Sequence, residues 1–348
     1  MRKLVYLIVL FQVLLLTACN VHEWPELPEL VQFNLRLRYE TDMTQWQYIY
    51  DGQTITDKGF GATYDNHLSY GKIRYIVRAY PVSDLQRSAK NFTKEFVFTK
   101  DISEGYDHEV ALELPAGSYN IMVWSDLIVA SGDNYFYDAT NFSEIVIAGE
   151  HRGNNDHRDA FRGTNSILLV TGYVEKEPAT LDITMQRPMA KYEFVTTDLQ
   201  EFIDKEFEYL QKLEATKGNE PPTRINIDDY IVLVYYSGYM PCAYDMNIDK
   251  PVDSKVGVSF ESKLDVQGEN EASLCFDYIF MNGAKAPVTV QIGLYDKGGR
   301  QVALSDPINV PLQRNHHTIL KGAFLTQQAS GGIVINPDFD GNHNILID

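Results

Sequence analysis

One stretch constrains the fold more than any other. Val31, Phe33, Leu35, Leu37 and Tyr39 alternate with Gln32, Asn34, Arg36, Arg38 and Glu40. Successive side chains of a β-strand point to opposite faces, so a strict period of two demands one buried face and one wet face. Trp46, Tyr48 and Tyr50 repeat the alternation. They predict a second strand with its rings turned inward.

The same reading gives strands at Ile73–Tyr80, Lys94–Phe98, Glu109–Leu114, Tyr119–Trp124, Ser143–Ile147, Ile167–Tyr173 and Leu181–Gln186. Turn signals such as Pro115-Ala116-Gly117 and Ser131-Gly132-Asp133-Asn134 separate them. Short strands with no helical pattern between them argue for a β-sandwich rather than an α/β fold.

At Arg187-Pro188 the pattern restarts with a strand at Lys191–Thr196. One long helix follows, near residues 198–215. Asp198 and Glu201 resemble a capping box, and Leu199, Phe202, Ile203, Phe207, Leu210 and Leu213 form a helical stripe. Gly218 and Pro221-Pro222 stop it. The stripe suits a helix lying across its own sheet. Strands resume at Tyr230–Tyr236, Val256–Phe260, Ala272–Phe280, Val288–Tyr295, Ile308–Leu312 and His317–Phe324, with a hairpin at Gly298-Gly299. A chain of 348 residues accommodates two cores of this kind. The expectation is an all-β protein with one long helix, in two tandem β-sandwich domains at 31–189 and 190–348.

The N-terminus carries an address. Arg2 and Lys3 precede an apolar run from Leu4 to Leu16, which ends in Leu16-Thr17-Ala18-Cys19. A basic head, a short apolar stretch and a small-residue processing site make a secretory signal, and a cysteine in that place is the pattern of a bacterial lipobox. Residues 1–18 are therefore read as a signal peptide, cut before an acylated Cys19. The run is shorter than the ~20 residues of a membrane span, and Gln12 interrupts it. Residues 19–30, with Pro25 and Pro28, read as an extended tether.

Charge limits the partners. The chain has 48 acidic and 30 basic residues, a net charge of −18, and loss of Arg2 and Lys3 makes it more negative. Such a surface repels nucleic acid and anionic headgroups. Attachment to the outer membrane would come from acyl chains such as palmitate on Cys19, at about 0.8 kcal/mol per buried methylene. Cys242 and Cys275 remain. Outside the cytoplasm they could form a disulfide or stay as two buried thiols.

Catalytic chemistry finds little support, so no enzyme activity, cofactor or metal is expected. His151, Asp156, His157 and Asp159 cluster in HRGNNDHRDAF, but their spacing matches no metal-ligand pattern. Asp338, Asp340 and Asn342 begin like a calcium loop, yet His343 stands where that loop needs glycine. His316 and His317 point to opposite faces of a strand. No Gly-x-Ser-x-Gly, phosphate loop or His-Glu-x-x-His occurs.

Several motifs together resemble the fimbrillin-type lipoproteins of the Bacteroidetes, which include fimbrial shaft, tip and anchor subunits. The carriers are the lipobox at Cys19, the short tether ending in a strand, and Leu114-Pro115-Ala116-Gly117-Ser118-Tyr119 running into Val123-Trp124. Met185 to Tyr192 (MQRPMAKY), Pro311 to Gly322 (PLQRNHHTILKG) and Gly332-Ile333 to Phe339 complete the set. The resemblance implies two tandem transthyretin-like (Greek-key) sandwiches and assembly with other fimbrial subunits by strand addition, a form of β-augmentation. In that family an arginine-specific protease removes a shaft subunit's first strand. A neighbour's C-terminal segment then fills the groove.

Applied to this sequence, the donor candidate is residues 331–348, with Ile333, Ile335, Phe339, Ile345 and Ile347. The first strand comprises Val31, Phe33, Leu35, Leu37 and Tyr39. No Arg or Lys lies between Cys19 and Arg36, Arg36 and Arg38 lie inside the strand, and Lys58 is expected in a loop. The first strand is therefore expected to stay in place. That suits a lipid-anchored, surface-exposed anchor or accessory subunit in adhesion. Two other readings are a surface lipoprotein binding glycan or protein ligands, with Trp46, Tyr48 and Tyr50 stacking on sugar rings, and a shaft or tip subunit.

Overall fold

The computed structural model describes residues 30–65, 68, 70–84, 91–128, 135–170 and 177–327. In chain order the first strands are β1 (Val31–Tyr39), β2 (Asp42–Tyr50), β3 (Ile55–Asp65), β4 (Lys72–Pro81), β5 (Lys94–Asp101) and β6 (His108–Leu114). Then come β7 (Gly117–Ile128), β8 (Tyr137–Asp138), β9 (Ile145–Ile147), β10 (Ala160–Leu169), β11 (Ala179–Met185) and β12 (Met189–Thr196). Helix α1 (Leu199–Lys217) precedes β13 (Tyr230–Tyr236), β14 (Met240–Asp245), β15 (Lys250–Lys255), β16 (Ser259–Ser262) and β17 (Asp265–Val266). The last five are β18 (Ala272–Phe280), β19 (Lys285–Asp296), β20 (Gln301–Leu304), β21 (Ile308–Gln313) and β22 (His316–Gly322).

These strands pack as two sandwiches joined by a small bridging sheet. The first sandwich sets sheet β11-β1-β6 against sheet β10-β7-β4-β5. Its core includes Phe33, Leu35 and Leu37 from β1, Tyr75 and Val77 from β4, and Val123 from β7. The second sets β17-β18-β12-β22-β2-β3 against β16-β13-β19-β20, with β21 also paired to β19. Sheet β15-β14-β9-β8 combines strands from both halves of the sequence, and its neighbourhood holds a third core with Trp124, Tyr137, Tyr244 and Phe280.

The alternation at β1 becomes burial as expected. Phe33, Leu35 and Leu37 are wholly buried, while Arg36 is half-exposed and Arg38 exposed. β4 shows the other pattern. It lies between β7 and β5 and is buried along nearly its whole length, so its residues form a continuous apolar run broken by Arg74 and Arg78.

Four sequence expectations change. The domains 31–189 and 190–348 are not separate in space, because hairpin β2–β3 leaves the first half and pairs through β2 with β22 of the second. Periodicity reports which face of a strand is dry, not which strand lies beside it. Lys58 lies on the exposed edge strand β3, not in a loop. β10 starts at Ala160 rather than Ile167. Gly163 hides that start, yet it is needed: a Cβ there would come within 2.4 Å of Ile183 and 2.8 Å of the Thr184 carbonyl.

The helix is the fourth change. Asp198 occupies the N-cap without a capping hydrogen bond from its side chain. Of the apolar stripe, Leu199 and Phe202 are buried and Ile203, Phe207, Leu210 and Leu213 are half-buried. Glu206 takes a buried place between them, accepting from the Tyr230 hydroxyl at 3.1 Å and pairing with Arg300. The stop is as expected: Gly218 adopts φ 74° while the Gly218 and Asn219 amides return to Ala215 and Glu214.

Candidate functional site

The strand-exchange reading places its site at β1, and the register shows how firmly β1 is seated. It runs antiparallel to β6, with Phe33 opposite Leu112, and parallel to β11, with Phe33 opposite Ala179. Full burial of Phe33, Leu35 and Leu37 contributes about 1.5–3 kcal/mol each. Tyr39 closes the row edge-on to Tyr75 and Phe161 at ring separations of 6.3 and 4.9 Å. Burial first, and Tyr75 second, push its phenol well above the usual range. On the wet face Arg36 pairs with Glu109 at 3.1 Å and Arg38 with Asp107 at 3.2 Å. Both arginines thus sit in a strand bonded on each side, where a protease needing an extended free segment has poor access.

Strand direction then fixes where the chain enters and leaves. β1 runs parallel to β11, and both continue across the junction, β1 into β2 and β11 into β12. There β2 and β12 flank β22, both parallel to it. The turn is held at Glu40, whose amide donates to Met185 at 3.0 Å and whose carbonyl accepts from Arg187 at 3.2 Å. Leu30 therefore lies at the end of the first sandwich away from the junction. Residue 327 lies at the far end of the second.

The exit is pinned. Phe324 stacks on Tyr50 at 5.7 Å with 7° between the planes. Asp198 accepts from the Thr326 amide at 2.9 Å, the Thr326 hydroxyl at 2.8 Å and the Leu325 amide at 3.3 Å, as well as from the Thr196 hydroxyl. This duty replaces helix capping. Cys19 and the donor residues Ile333, Ile335, Phe339, Ile345 and Ile347 lie outside the described residues, as do Asp338, Asp340, Asn342 and His343.

The stretch HRGNNDHRDAF crosses between sandwiches. Its two aspartates and His157 turn to separate partners, while His151 and Arg158 share one carboxylate. His151 meets Asp277 of β18 at 2.6 Å. Arg158, wholly buried, donates to the same carboxylate, and so does Tyr236. Asp156 accepts from Lys191 at 2.8 Å and from the Tyr278 hydroxyl at 2.7 Å, Asp159 accepts from Arg187 at 2.8 Å, and the His157 ring bonds the Tyr70 carbonyl at 3.0 Å. Burial alone would raise the Asp277 carboxyl, but Arg158, followed by His151 and Tyr236, holds it below the usual range. Burial pushes Tyr236 and Tyr192 far up, so both stay neutral donors. Spacing alone argued against a metal cluster, but the partners of this latch could not be named from the sequence, because Lys191, Tyr236 and Asp277 come from β12, β13 and β18.

Cys242 and Cys275 are two free, buried thiols and not a disulfide: Cys242 lies on β14 and Cys275 on β18, in different sheets. Burial pushes both thiols up. His316 and His317 face opposite ways. His316 bonds Gln313 and the Arg314 carbonyl, while buried His317 pairs with Glu193 at 3.1 Å. The aromatic row grades along β2: Tyr50 is buried, whereas Trp46 and Tyr48 are half-buried and line an open cavity of about 240 Å³. Sequence reasoning named these rings. It had no means to name the wall from β19 and β21 that completes the cavity.

No curated protein matches the chain. Among solved structures, a candidate adhesin from Bacteroides ovatus is similar with a TM-score of 0.43 and 9% identity, covering 85% of this chain and 92% of that one. The fimbrial anchor protein Mfa2 from Porphyromonas gingivalis gives 0.37 and 11%, covering 79% and 82%. A fimbrial assembly protein from Parabacteroides distasonis gives 0.34 and 9%, covering 84% and 91%. With residues 28–348 matched by its family model, the chain belongs to the family of unknown function DUF6562.

Proposed function

We propose that this protein is a lipid-anchored structural subunit of the cell surface, an anchor or accessory component of a fimbria-like assembly, and not an enzyme. The observation that carries the reading is the placement of the two chain ends. The chain enters at Leu30, at the outer end of the first sandwich, and leaves past Gln327, at the outer end of the second. A subunit tethered through Cys19 at one end would offer residues 331–348 away from the membrane, where a neighbour could accept them as an added strand. The seating of β1 between β6 and β11 favours retention of the first strand over a shaft subunit's loss of it.

Two experiments test this. Deleting Gly331–Asp348 is expected to abolish co-purification with other fimbrial subunits while leaving the described core folded; unchanged co-purification would sink strand donation by this chain. N-terminal analysis of membrane-bound material is expected to find an acylated start at Cys19, lost in Cys19→Ala. A start after Arg38 or Lys58 would instead identify a shaft or tip subunit.

A further inference from the structure

The cavity at the open end of the aromatic row carries a separate inference. It lies between β2 and the β19–β21 wall, near the junction end of the second sandwich, with Trp46 and Tyr48 on one side and Pro287 and Pro311 on the other. Strand geometry puts Trp46, Tyr48 and Tyr50 on one face. Tyr50 spends its ring on Phe324, whereas among the described residues no aromatic ring stacks on Trp46 or Tyr48. The Trp46 indole N–H donates to Asp57 at 2.6 Å, which fixes the ring's orientation and leaves its faces uncommitted. Part of the polar rim is open as well, although His316 and Thr318 are bonded within the fold. Exposed Lys285 has no ion pair among the described residues, and Gln313 uses its amide nitrogen on His316 at 2.9 Å while its carbonyl oxygen is open.

We propose that this cavity binds a single pyranose ring of a glycan. A pyranose has a C–H face and an edge of hydroxyl groups. The slightly positive C–H hydrogens match the negative face of an aromatic ring, and the hydroxyls can accept from Lys285 and donate to Gln313. At about 240 Å³ the cavity is below the range for drug-sized ligands, ~300–1,000 Å³, a size that suits one sugar ring. The Lys285 ammonium opposes an organic cation between the two aromatics and favours a neutral or acidic sugar. This inference stands whether or not the chain assembles by strand donation.

The test is titration of the intact protein with methyl glucoside, methyl galactoside, methyl mannoside and glucuronate, read by tryptophan fluorescence and saturation-transfer NMR. A proline-rich decapeptide serves as the contrasting probe. At least one sugar is expected to bind saturably at about 1 mM, the affinity a single ring supports, with transfer strongest to its ring C–H protons. Trp46→Ala is expected to weaken binding at least tenfold, and Lys285→Ala and Gln313→Ala severalfold. The last two change exposed or half-exposed side chains, so they decide the matter even if Trp46→Ala disturbs β2. Absence of saturation by all four sugars, binding indifferent to the Lys285 and Gln313 variants, or binding of the peptide alone would overturn the proposal.

Discussion

The two sandwiches are built from the chain in different ways. The first draws its core from strands between Val31 and Met185, interrupted by the β2–β3 excursion into the second sandwich and by β8 and β9, which join the bridging sheet. The second cannot close without that excursion. Its sheet needs β2 beside β22, joining residues such as Gln45 and His317 that are 272 positions apart. Loop-closure entropy must be overcome before so distant a pair contributes anything. The first keeps its buried ion pair between two of its own strands, Arg74 of β4 meeting Asp126 of β7. The second adjoins the latch, with Arg158, Asp277 and Tyr236 buried together and His317 on Glu193. Both rest on buried apolar area; the β2–β22 pairing and the charges buried at the latch hold the second to the first.

The strongest way to break this contrast is excision. Residues 190–327 alone lose β2, which exposes the edge of β22 and removes Tyr50 from against Phe324. The fragment is expected to show no cooperative unfolding transition, and a co-expressed 31–65 segment to restore one; cooperative folding of the fragment alone would refute the dependence on β2. Next is Asp277→Ala. It strands Arg158 as a buried unpaired charge, at an expected cost of about 3–5 kcal/mol in denaturant unfolding. Leu35→Ala deletes a fully buried side chain of the first sandwich, at about 2–5 kcal/mol. Hydrogen exchange sharpens the comparison between these two variants: loss of protection should begin at the latch and β18 in the former, and at β1, β6 and β11 in the latter.

Smaller effects follow. Asp198→Ala removes acceptors from Thr196, Leu325 and Thr326 and is expected to cost about 1–3 kcal/mol. Limited proteolysis near residue 325 should accelerate, while Gly218 still ends the helix. A pH response is also expected from the second sandwich. Burial, more than any other influence, lowers the pKa of His317 below the ordinary histidine value. Its stabilising contribution is therefore complete above the unfolded value of about 6.5 and is lost as pH falls through the depressed folded value. Melting temperature should fall on going from pH 7.5 to 5, and His317→Gln should flatten that part of the profile. An unchanged slope would exclude His317 as its source.

Much of the fold was legible because periodicity is local. β1, β4, β6, β13 and β18 were readable from side-chain alternation or continuous apolar runs, and the helix from its stripe and Gly218. β3, β14 and β15 were not. β3 carries Gly59, Gly61 and Asp57 in its interior, and β14 and β15 pair with register shifts that destroy a clean period of two. The site was legible in part. Trp46 and Tyr48 stood out as an alternating pair, but their opposing wall comes from residues more than two hundred positions away.

The sequence by itself determined the all-β character with one long helix, the dry face of β1 and the alternation that puts Trp46, Tyr48 and Tyr50 on one face of β2, because each depends only on neighbours along one strand or helix. Tertiary structure alone decided that β1 and β2 belong to different sandwiches, that Cys242 and Cys275 stay apart, and that His151, Asp156 and Asp159 of HRGNNDHRDAF meet Asp277, Lys191 and Arg187 instead of one another. The physical reason is the same in each case. A strand's alternation shows which side avoids water, whereas backbone hydrogen bonds to a neighbouring strand are nearly identical for every sequence. Which strands, thiols and charges meet is settled only when the whole core packs.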